Sequence, residues 1–148
     1  MKRYLVLLIM ASIVITGCQN TYCPPDEADA AIAELKMIAE EWDDALYLAR
    51  STARMSLAGP ISELQQIKRK VTSLDVPECL EEAQFSLGLA MEFAIDGMVA
   101  FMAKESDEAV SRDFDFYYDF LDDYLEEIRA VNTCLPKCKQ PAPAEPAD

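Results

Sequence analysis

Apolar residues recur every three or four positions along most of this chain, which is the period of an α-helix that buries one face. The first such stripe predicts a helix from Asp26 to Leu57, ended by Gly59 and Pro60. The second predicts a shorter helix that stops before Pro77, because proline disfavours helical geometry in the residue before it. The stripe residues are Ala31, Leu35, Ile38, Trp42, Ala45 and Ala49 in the first helix, and Ile61, Leu64, Ile67, Val71 and Leu74 in the second.

Two longer stripes follow and predict a third helix from about Glu78 to Lys104 and a fourth from about Ser106 to Asn132. Their residues are Leu80, Ala83, Leu87, Met91, Ala94, Met98 and Phe101 in the third, and Phe114, Tyr117, Leu121, Tyr124, Ile128 and Val131 in the fourth. No segment has the alternation of a strand. Short connections between helices favour antiparallel neighbours, so we predict an all-α fold, an antiparallel up-down four-helix bundle with a short second helix.

The third helix is apolar enough to raise the question of a membrane span. Within residues 85–103 only Glu92 and Asp96 are charged. Each acid near a bilayer centre costs about 2.5–3.5 kcal/mol, which favours a core helix of the bundle instead. If the back face of this helix is covered, its two carboxylates need cationic partners, and Arg50 and Arg54 of the first helix are the candidates. Two carboxylates in an apolar cleft also resemble an acid–base pair, although an ion-paired acid is the commoner arrangement.

The amino terminus has the pattern of a signal peptide. Lys2 and Arg3 precede an apolar stretch from Tyr4 to Ile15 that only Ser12 interrupts. Twelve residues rise about 18 Å as a helix, which is short of the roughly 30 Å hydrocarbon core of a bilayer. The segment therefore predicts export and cleavage, and not a permanent span.

The run Ile15-Thr16-Gly17-Cys18 closely resembles the lipobox of bacterial lipoproteins. The resemblance implies that the Cys18 thiol receives a diacylglyceryl group, that cleavage follows Gly17, and that the new amino terminus is available for acylation with a fatty acid such as palmitate. Two or more acyl chains are needed for stable attachment to a membrane. The alternative is an ordinary secreted protein in which Cys18 is incidental. Gln19 is not the aspartate associated with inner-membrane retention, which leaves the choice of membrane open.

These features predict four segments and a location. The segments are a lipoprotein signal peptide at 1–17, a lipidated tether at 18–25, a helical bundle domain at 26–135 and a disordered proline-rich tail at 136–148. The expected location is the extracytoplasmic face of the bacterial cell membrane or outer membrane. The membrane is thus a predicted partner, reached through the amino-terminal lipid.

Four further cysteines, Cys23, Cys79, Cys134 and Cys138, predict two disulfides, because exported thiols meet an oxidising environment. An up-down bundle brings all four to its membrane-proximal end. The register of the third helix against the fourth favours Cys79–Cys134 with Cys23–Cys138, over Cys79–Cys138 with Cys23–Cys134. A zinc ion held by the four thiolates is less favoured, because the spacing is C-x-x-x-C and the chain has no histidine.

A basic group is expected at the same end of the bundle. It consists of Lys68, Arg69, Lys70, Lys137 and Lys139. Anionic lipids would attract such cations by about 1 kcal/mol each near the membrane surface. Cations are equally favoured at helix carboxyl ends, which explains Lys68 to Lys70 without a membrane.

Composition excludes several classes of function. A chain of 148 residues, 51% of them hydrophobic, holds one domain. The absence of histidine excludes serine–histidine and cysteine–histidine nucleophiles, and the 4 glycines form no phosphate-binding loop. The 13 basic and 27 acidic residues give a net charge of -14, which opposes nucleic-acid binding. We therefore expect no enzymatic activity, no cofactor and no nucleic-acid partner.

One candidate site is an acidic stripe on the fourth helix, formed by Asp115, Asp119, Asp122 and Glu126. Such a row of oxygen ligands would hold calcium or magnesium weakly. It fails the calcium-loop template, in which a glycine stands at the sixth position and a glutamate at the twelfth. A charge run of this kind is usually a solvated helix face.

The other candidate is an apolar sector of the third helix, formed by Phe85, Leu89 and Phe93 on the side away from its main stripe. Left uncovered, it would be an interaction face for another protein or for a second copy of the chain. The leading hypothesis is thus a lipid-anchored protein with a non-catalytic binding or envelope-structural role. The alternative is a weak divalent-cation-binding protein that uses the acidic stripe.

Overall fold

A computed structural model describes residues 23–138 of the chain, without the side chains of residues 136–138. It contains four α-helices, α1 (Pro25–Ser51), α2 (Ala58–Ser73), α3 (Glu81–Ala103) and α4 (Asp107–Cys138). Two 3-10 turns lie between them, at Arg54–Ser56 and Glu78–Leu80. Within residues 23–138 no residue belongs to a strand, which confirms the all-α prediction.

The predicted end of the first helix is wrong, because α1 ends at Ser51 and not at Leu57. The hydroxyls of Ser51 and Thr52 each donate a hydrogen bond of 2.8 Å to a backbone carbonyl four residues earlier, and Thr52 is extended. Side-chain hydrogen bonds of this kind compete with the helical ladder. Pro60 lies in the first turn of α2. Backbone N–H groups in this turn have no acceptor within the helix, so the absence of an N–H in proline costs no helical hydrogen bond.

The fourth helix begins as predicted and continues past its predicted end near Asn132. Ser106 caps its start by accepting a hydrogen bond of 3.3 Å from the backbone N–H of Ala109. The helix continues to Cys138, and Leu135 on its last turns is buried in the core. The part of the predicted tail at 139–148 lies outside the described residues.

Consecutive helices run antiparallel in the two pairs that enclose α3. Along the α2–α3 contact, Lys68 pairs with Glu92 and Thr72 lies opposite Gly88. Residue numbers therefore rise along α2 as they fall along α3, which means that the two helices run in opposite directions. Gln84 strengthens this contact by donating hydrogen bonds of 2.7 Å to two carbonyls at the end of α2. Along the α3–α4 contact, which is the most extensive in the molecule, Phe93 meets Phe116 and Phe120 whereas Gly97 meets Phe114.

The core lies between the helical stripes that the sequence predicts, and Trp42 is its largest side chain, 1% exposed. The Trp42 indole N–H lies near the Tyr117 hydroxyl without hydrogen-bond geometry, and it is the one buried side-chain polar atom without a partner in the described part of the chain. Burial raises the pKa of Tyr117 above its ordinary 10.0, and the nearby indole N–H opposes that rise. Phe101 of the third stripe is not core, because it lies at the end of α3 and is 36% exposed.

The predicted cysteine pairing is wrong. Cys23 is bonded to Cys79, with their Cα atoms 5.5 Å apart, and this excludes both Cys79–Cys134 and Cys79–Cys138. Cys23 lies two residues before α1, and Cys79 lies in the 3-10 turn before α3, so the bond joins the starts of two helices. Cys134 is also disulfide-bonded.

Within the described residues, one helical segment, Glu78–Ala103, is long and apolar enough to cross a membrane, with a mean hydropathy of 1.5. The core helix of a soluble bundle passes the same test. Its Leu87, Met91 and Met98 are buried against the neighbouring helices, as expected of a core helix.

Candidate interaction face

Helix α3 is enclosed on most sides and exposes one narrow face between α2 and α4. The predicted interaction residues Phe85, Leu89 and Phe93 lie on or beside this face. Phe85 is 61% exposed, while Leu89 and Phe93 are half-buried. Residues four apart on a helix are surface neighbours, so the three side chains form a row about two turns long.

Two aromatic residues of α4 extend this row. The Phe93 ring stacks on Phe120 with centroids 5.5 Å apart and an angle of 5°, and it lies 5.0 Å from the Phe116 ring. Phe116 is 41% exposed and Phe120 is half-buried. We call the set of Phe85, Leu89, Phe93, Phe116 and Phe120 the apolar face.

Phe116 and Phe120 lie outside the main stripe of the fourth helix, so the predicted interaction face did not include them. The available signal was that Phe116 and Phe120 are four residues apart and each lies one position before a residue of the main stripe, Tyr117 or Leu121. It marks a second apolar row on the same helix. The packing of the helices determines which neighbour this row contacts, and residue spacing alone does not predict that packing.

The carboxylates of α3 lie at the edge of the apolar face, and their predicted partners are wrong. Glu92 pairs with Lys68 of α2, and neither Arg50 nor Arg54 reaches it. The pKa of the Asp96 carboxyl is raised above its usual range by burial, and further by the charges of Glu92 and Asp113, with Lys68 opposing. Both acids are exposed side chains.

The two arginines contact aromatic rings at the opposite end of the bundle from the Cys23–Cys79 bond. Arg50 donates a hydrogen bond of 3.2 Å to the Tyr118 hydroxyl and lies 5.5 Å from the centre of the Phe114 ring. Arg54 lies 4.1 Å from the centre of the Phe101 ring. Cation–π contacts of this kind hold the two side chains away from α3 acids.

A groove runs between α2 and α3 beside the apolar face. It has a volume of 310 Å³, and its lining includes Lys68, Thr72, Gln84, Phe85, Leu89 and Glu92. A second hollow of 310 Å³ continues past Lys68 to Arg69 and Asp96. Charges of both signs line this groove, in contrast to the acidic surroundings of the apolar face on the α4 side.

The acidic stripe of α4 is a solvent-facing row. Asp115, Asp119, Asp122 and Glu126 are all exposed. Among residues 23–138 no three His, Cys, Asp or Glu side chains are grouped closely enough to hold a metal ion. The geometry of the stripe therefore gives the cation-binding hypothesis no support.

Two of the predicted membrane-facing cations are engaged in ion pairs between helices. Lys70 contacts both carboxylate oxygens of Glu41 on α1 at 2.6 Å, and Lys68 pairs with Glu92 on α3. These pairs tie α2 to both of its neighbours. The side chain of Lys137 and the whole of Lys139 lie outside the described part of the chain.

Comparison with protein-family models, curated proteins and solved structures gives no match to this chain. The function is therefore inferred from the chain's own residues.

Proposed function

We propose that this chain is an exported, lipid-anchored bacterial protein that binds another protein through its apolar face and carries out no catalysis. The observation that carries the proposal is the Cys23–Cys79 disulfide, which lies just after the lipobox cysteine. Disulfides form and persist in oxidising compartments, so this bond supports the export that the amino-terminal pattern predicts.

The disulfide also supports a particular orientation on the membrane. Cys23 is 6% exposed and is held at the starts of α1 and α3. Five chain steps separate it from Cys18, and an extended chain spans at most about 3.6 Å per residue. A lipid on Cys18 would therefore keep this end of the bundle within about 18 Å of the bilayer surface.

We further propose an up-down bundle on this tether. Helices α1 and α3 begin at the disulfide end, and α3 is antiparallel to both α2 and α4. In this arrangement the helices stand with their ends toward the membrane and their sides toward the surroundings. The apolar face then lies on the side of the bundle, accessible to a partner beside it.

The lipid anchor is tested by metabolic labelling of cells with an alkyne analogue of palmitate. We expect label on the wild-type protein and none on Cys18→Ala, which should also leave the membrane fraction. Tyr47→Ala is the control and should keep the label, because Tyr47 is a largely exposed side chain of α1 and lies far from the lipobox in the sequence. An unlabelled wild-type protein would refute the anchor.

A second test uses the disulfide of Cys134. With Cys23 and Cys79 joined to each other, the remaining candidate partners are Cys18 and Cys138. A lipidated Cys18 has no free thiol, so the proposal requires that Cys18 is not bonded to Cys134. Non-reducing peptide mapping of the exported protein should therefore give no peptide that joins these two cysteines, and a Cys18–Cys134 peptide would contradict the anchor.

A further inference from the structure

The apolar face is bordered by acids on both of its helices. The bordering residues are Glu82 and Asp96 on α3 and Asp119, Asp123 and Glu127 on α4, and all five are exposed. Asp119 and Asp123 each lie three residues after a phenylalanine of the face, which puts them on its outer edge. We call these five residues the acidic rim.

On the α2 side of the apolar face, the cations Lys68 and Arg69 line the same hollow as Asp96. Lys68 pairs with Glu92, and Arg112 lies 3.5 Å from the Asp113 carboxylate. On the α4 side, none of the ion pairs among the described residues involves Asp119, Asp123 or Glu127, so this part of the rim carries negative charge without a paired cation.

We propose that the apolar face binds a cationic amphipathic helix of a partner protein, with lysines or arginines of that helix lying against the acidic rim. This inference rests on the proposed function in taking the apolar face as the binding surface, and it adds the chemistry of the partner. A helix that docks in this way presents apolar side chains at positions i, i+3 or i+4, and i+7. That spacing covers about two turns, the same length as the row from Phe85 to Phe93.

Charge complementarity favours a cationic helix on the apolar face over two alternatives, a second copy of the chain and an anionic lipid surface. A second copy of the chain would bring another acidic rim to the same place, and like charges across an interface are repulsive. The net charge of -14 opposes self-association in general. An anionic lipid surface would be repelled by the rim for the same reason.

The binding test uses the exported full chain and a synthetic fluorescent peptide with leucines at helical spacing and lysines on its other faces. The protein is measured in phosphatidylcholine nanodiscs if it carries lipid, with empty discs as the blank, and in buffer if it does not. Failure of the anchor and failure of peptide binding are thus separate results. Two control peptides have the same composition in scrambled order, or glutamate in place of lysine.

Fluorescence anisotropy should give saturable binding of the cationic amphipathic peptide, weakened by added salt. Phe85→Ala and Phe116→Ala should each raise the Kd by about tenfold, as truncation of an interface aromatic commonly does. Tyr47→Ala on α1 is the matched control, because Tyr47 is 77% exposed and lies off the face, and it should leave the Kd unchanged.

The charge requirement is tested by the double variant Asp119→Asn with Asp123→Asn. It should raise the Kd and reduce its dependence on salt, whereas the double control Glu34→Gln with Glu40→Gln, two exposed acids of α1, should do neither. Equal binding of the acidic peptide or of the scrambled peptide would overturn the proposal. So would an absence of saturable binding, or binding of phosphatidylglycerol vesicles that Phe85→Ala abolishes.

Discussion

At the scale of single residues, Trp42 is the clearest test of how the core is assembled. It is the only tryptophan, it is 1% exposed, and its indole N–H lacks a hydrogen bond. Trp42→Ala should lower the free energy of unfolding by about 3–5 kcal/mol, because it leaves a large cavity. Trp42→Phe should cost much less, because it keeps most of the ring and removes a buried donor that has no partner.

Urea unfolding followed by circular dichroism measures both variants. Tyr47→Ala is the control, since substitution of a largely exposed side chain usually changes stability by less than about 0.5 kcal/mol. Equal losses in Trp42→Phe and Trp42→Ala would contradict the prediction, because they would mean that the indole N–H makes an essential contact.

Asp96 gives a prediction about pH. Its folded-state pKa is raised above 3.8, by burial first and then by Glu92 and Asp113, so the folded chain binds this proton more tightly than the unfolded chain. Ionised Asp96 therefore destabilises the fold above that pKa, and protonation restores stability as the pH falls through it.

Asp96→Asn should raise the free energy of unfolding at pH 7 by up to about 0.5 kcal/mol, a small value because the group is at the surface. At about pH 3, below both pKa values, the variant should gain nothing over wild type. Denaturant unfolding at the two pH values checks this. A gain that is the same at both would show that charge is not the cause.

Residue spacing predicted which side of α3 stays open and did not predict what the charges there contact. Phe85, Leu89 and Phe93 follow from their position opposite the main stripe. Glu92 pairs with Lys68 because the rotation of α2 places Lys68 on the opposite side of the groove. Arg50 is not available to Glu92, because it contacts the Phe114 ring. Both are consequences of tertiary packing.

At the scale of helices, the α3–α4 contact depends on a small residue. A methyl group added at Gly97 would lie 2.9 Å from Cε2 of Phe114, which is closer than carbon atoms normally approach. At Gly88 in the same helix, the added methyl would meet Cγ2 of Thr72 at 3.7 Å, an ordinary contact.

Gly88→Ala should therefore raise the free energy of unfolding by up to about 1 kcal/mol, through the better helix propensity of alanine. Gly97→Ala should be less stable than Gly88→Ala by about 1–3 kcal/mol, because the Phe114 ring must move. Thermal melts of the two variants measure the difference. Melting temperatures that rise equally would refute a close approach of α4 at Gly97.

Helix positions were largely predictable and helix ends less so. The apolar stripes located all four helices, because each buries one face. The end of α1 depended on the hydroxyls of Ser51 and Thr52, which bond to carbonyls of their own helix. Gly59 and Pro60 gave an ambiguous signal, since proline fits the first turn of a helix as well as the end of the preceding one.

At the scale of the whole molecule, the Cys23–Cys79 bond closes a loop with a sequence separation of 56. In the chain-entropy model its removal should lower the free energy of unfolding by about 4 kcal/mol. The double variant Cys23→Ser with Cys79→Ser, compared with oxidised wild type by guanidinium unfolding, measures this. A loss below about 1 kcal/mol would mean that the bond does not constrain the unfolded chain.

The disulfide pairing was the largest error of sequence reasoning at this scale. The register of α3 against α4 brings Cys79 and Cys134 to the same end of the bundle, and this proximity favoured a bond between them. Cys23 is held closer, because Cys23 lies two residues before α1, Cys79 lies two residues before α3, and the starts of these helices meet. The common location of these cysteines was predictable, and the choice among them was not.

We propose that Cys18 tethers this bundle to a membrane outside the cytoplasm. Mass spectrometry of the amino-terminal peptide, from the protein isolated from its own cells, tests this tether. We expect a chain that begins at Cys18 with a diacylglyceryl thioether. A chain that begins at Met1, with an unmodified Cys18 thiol, would contradict it.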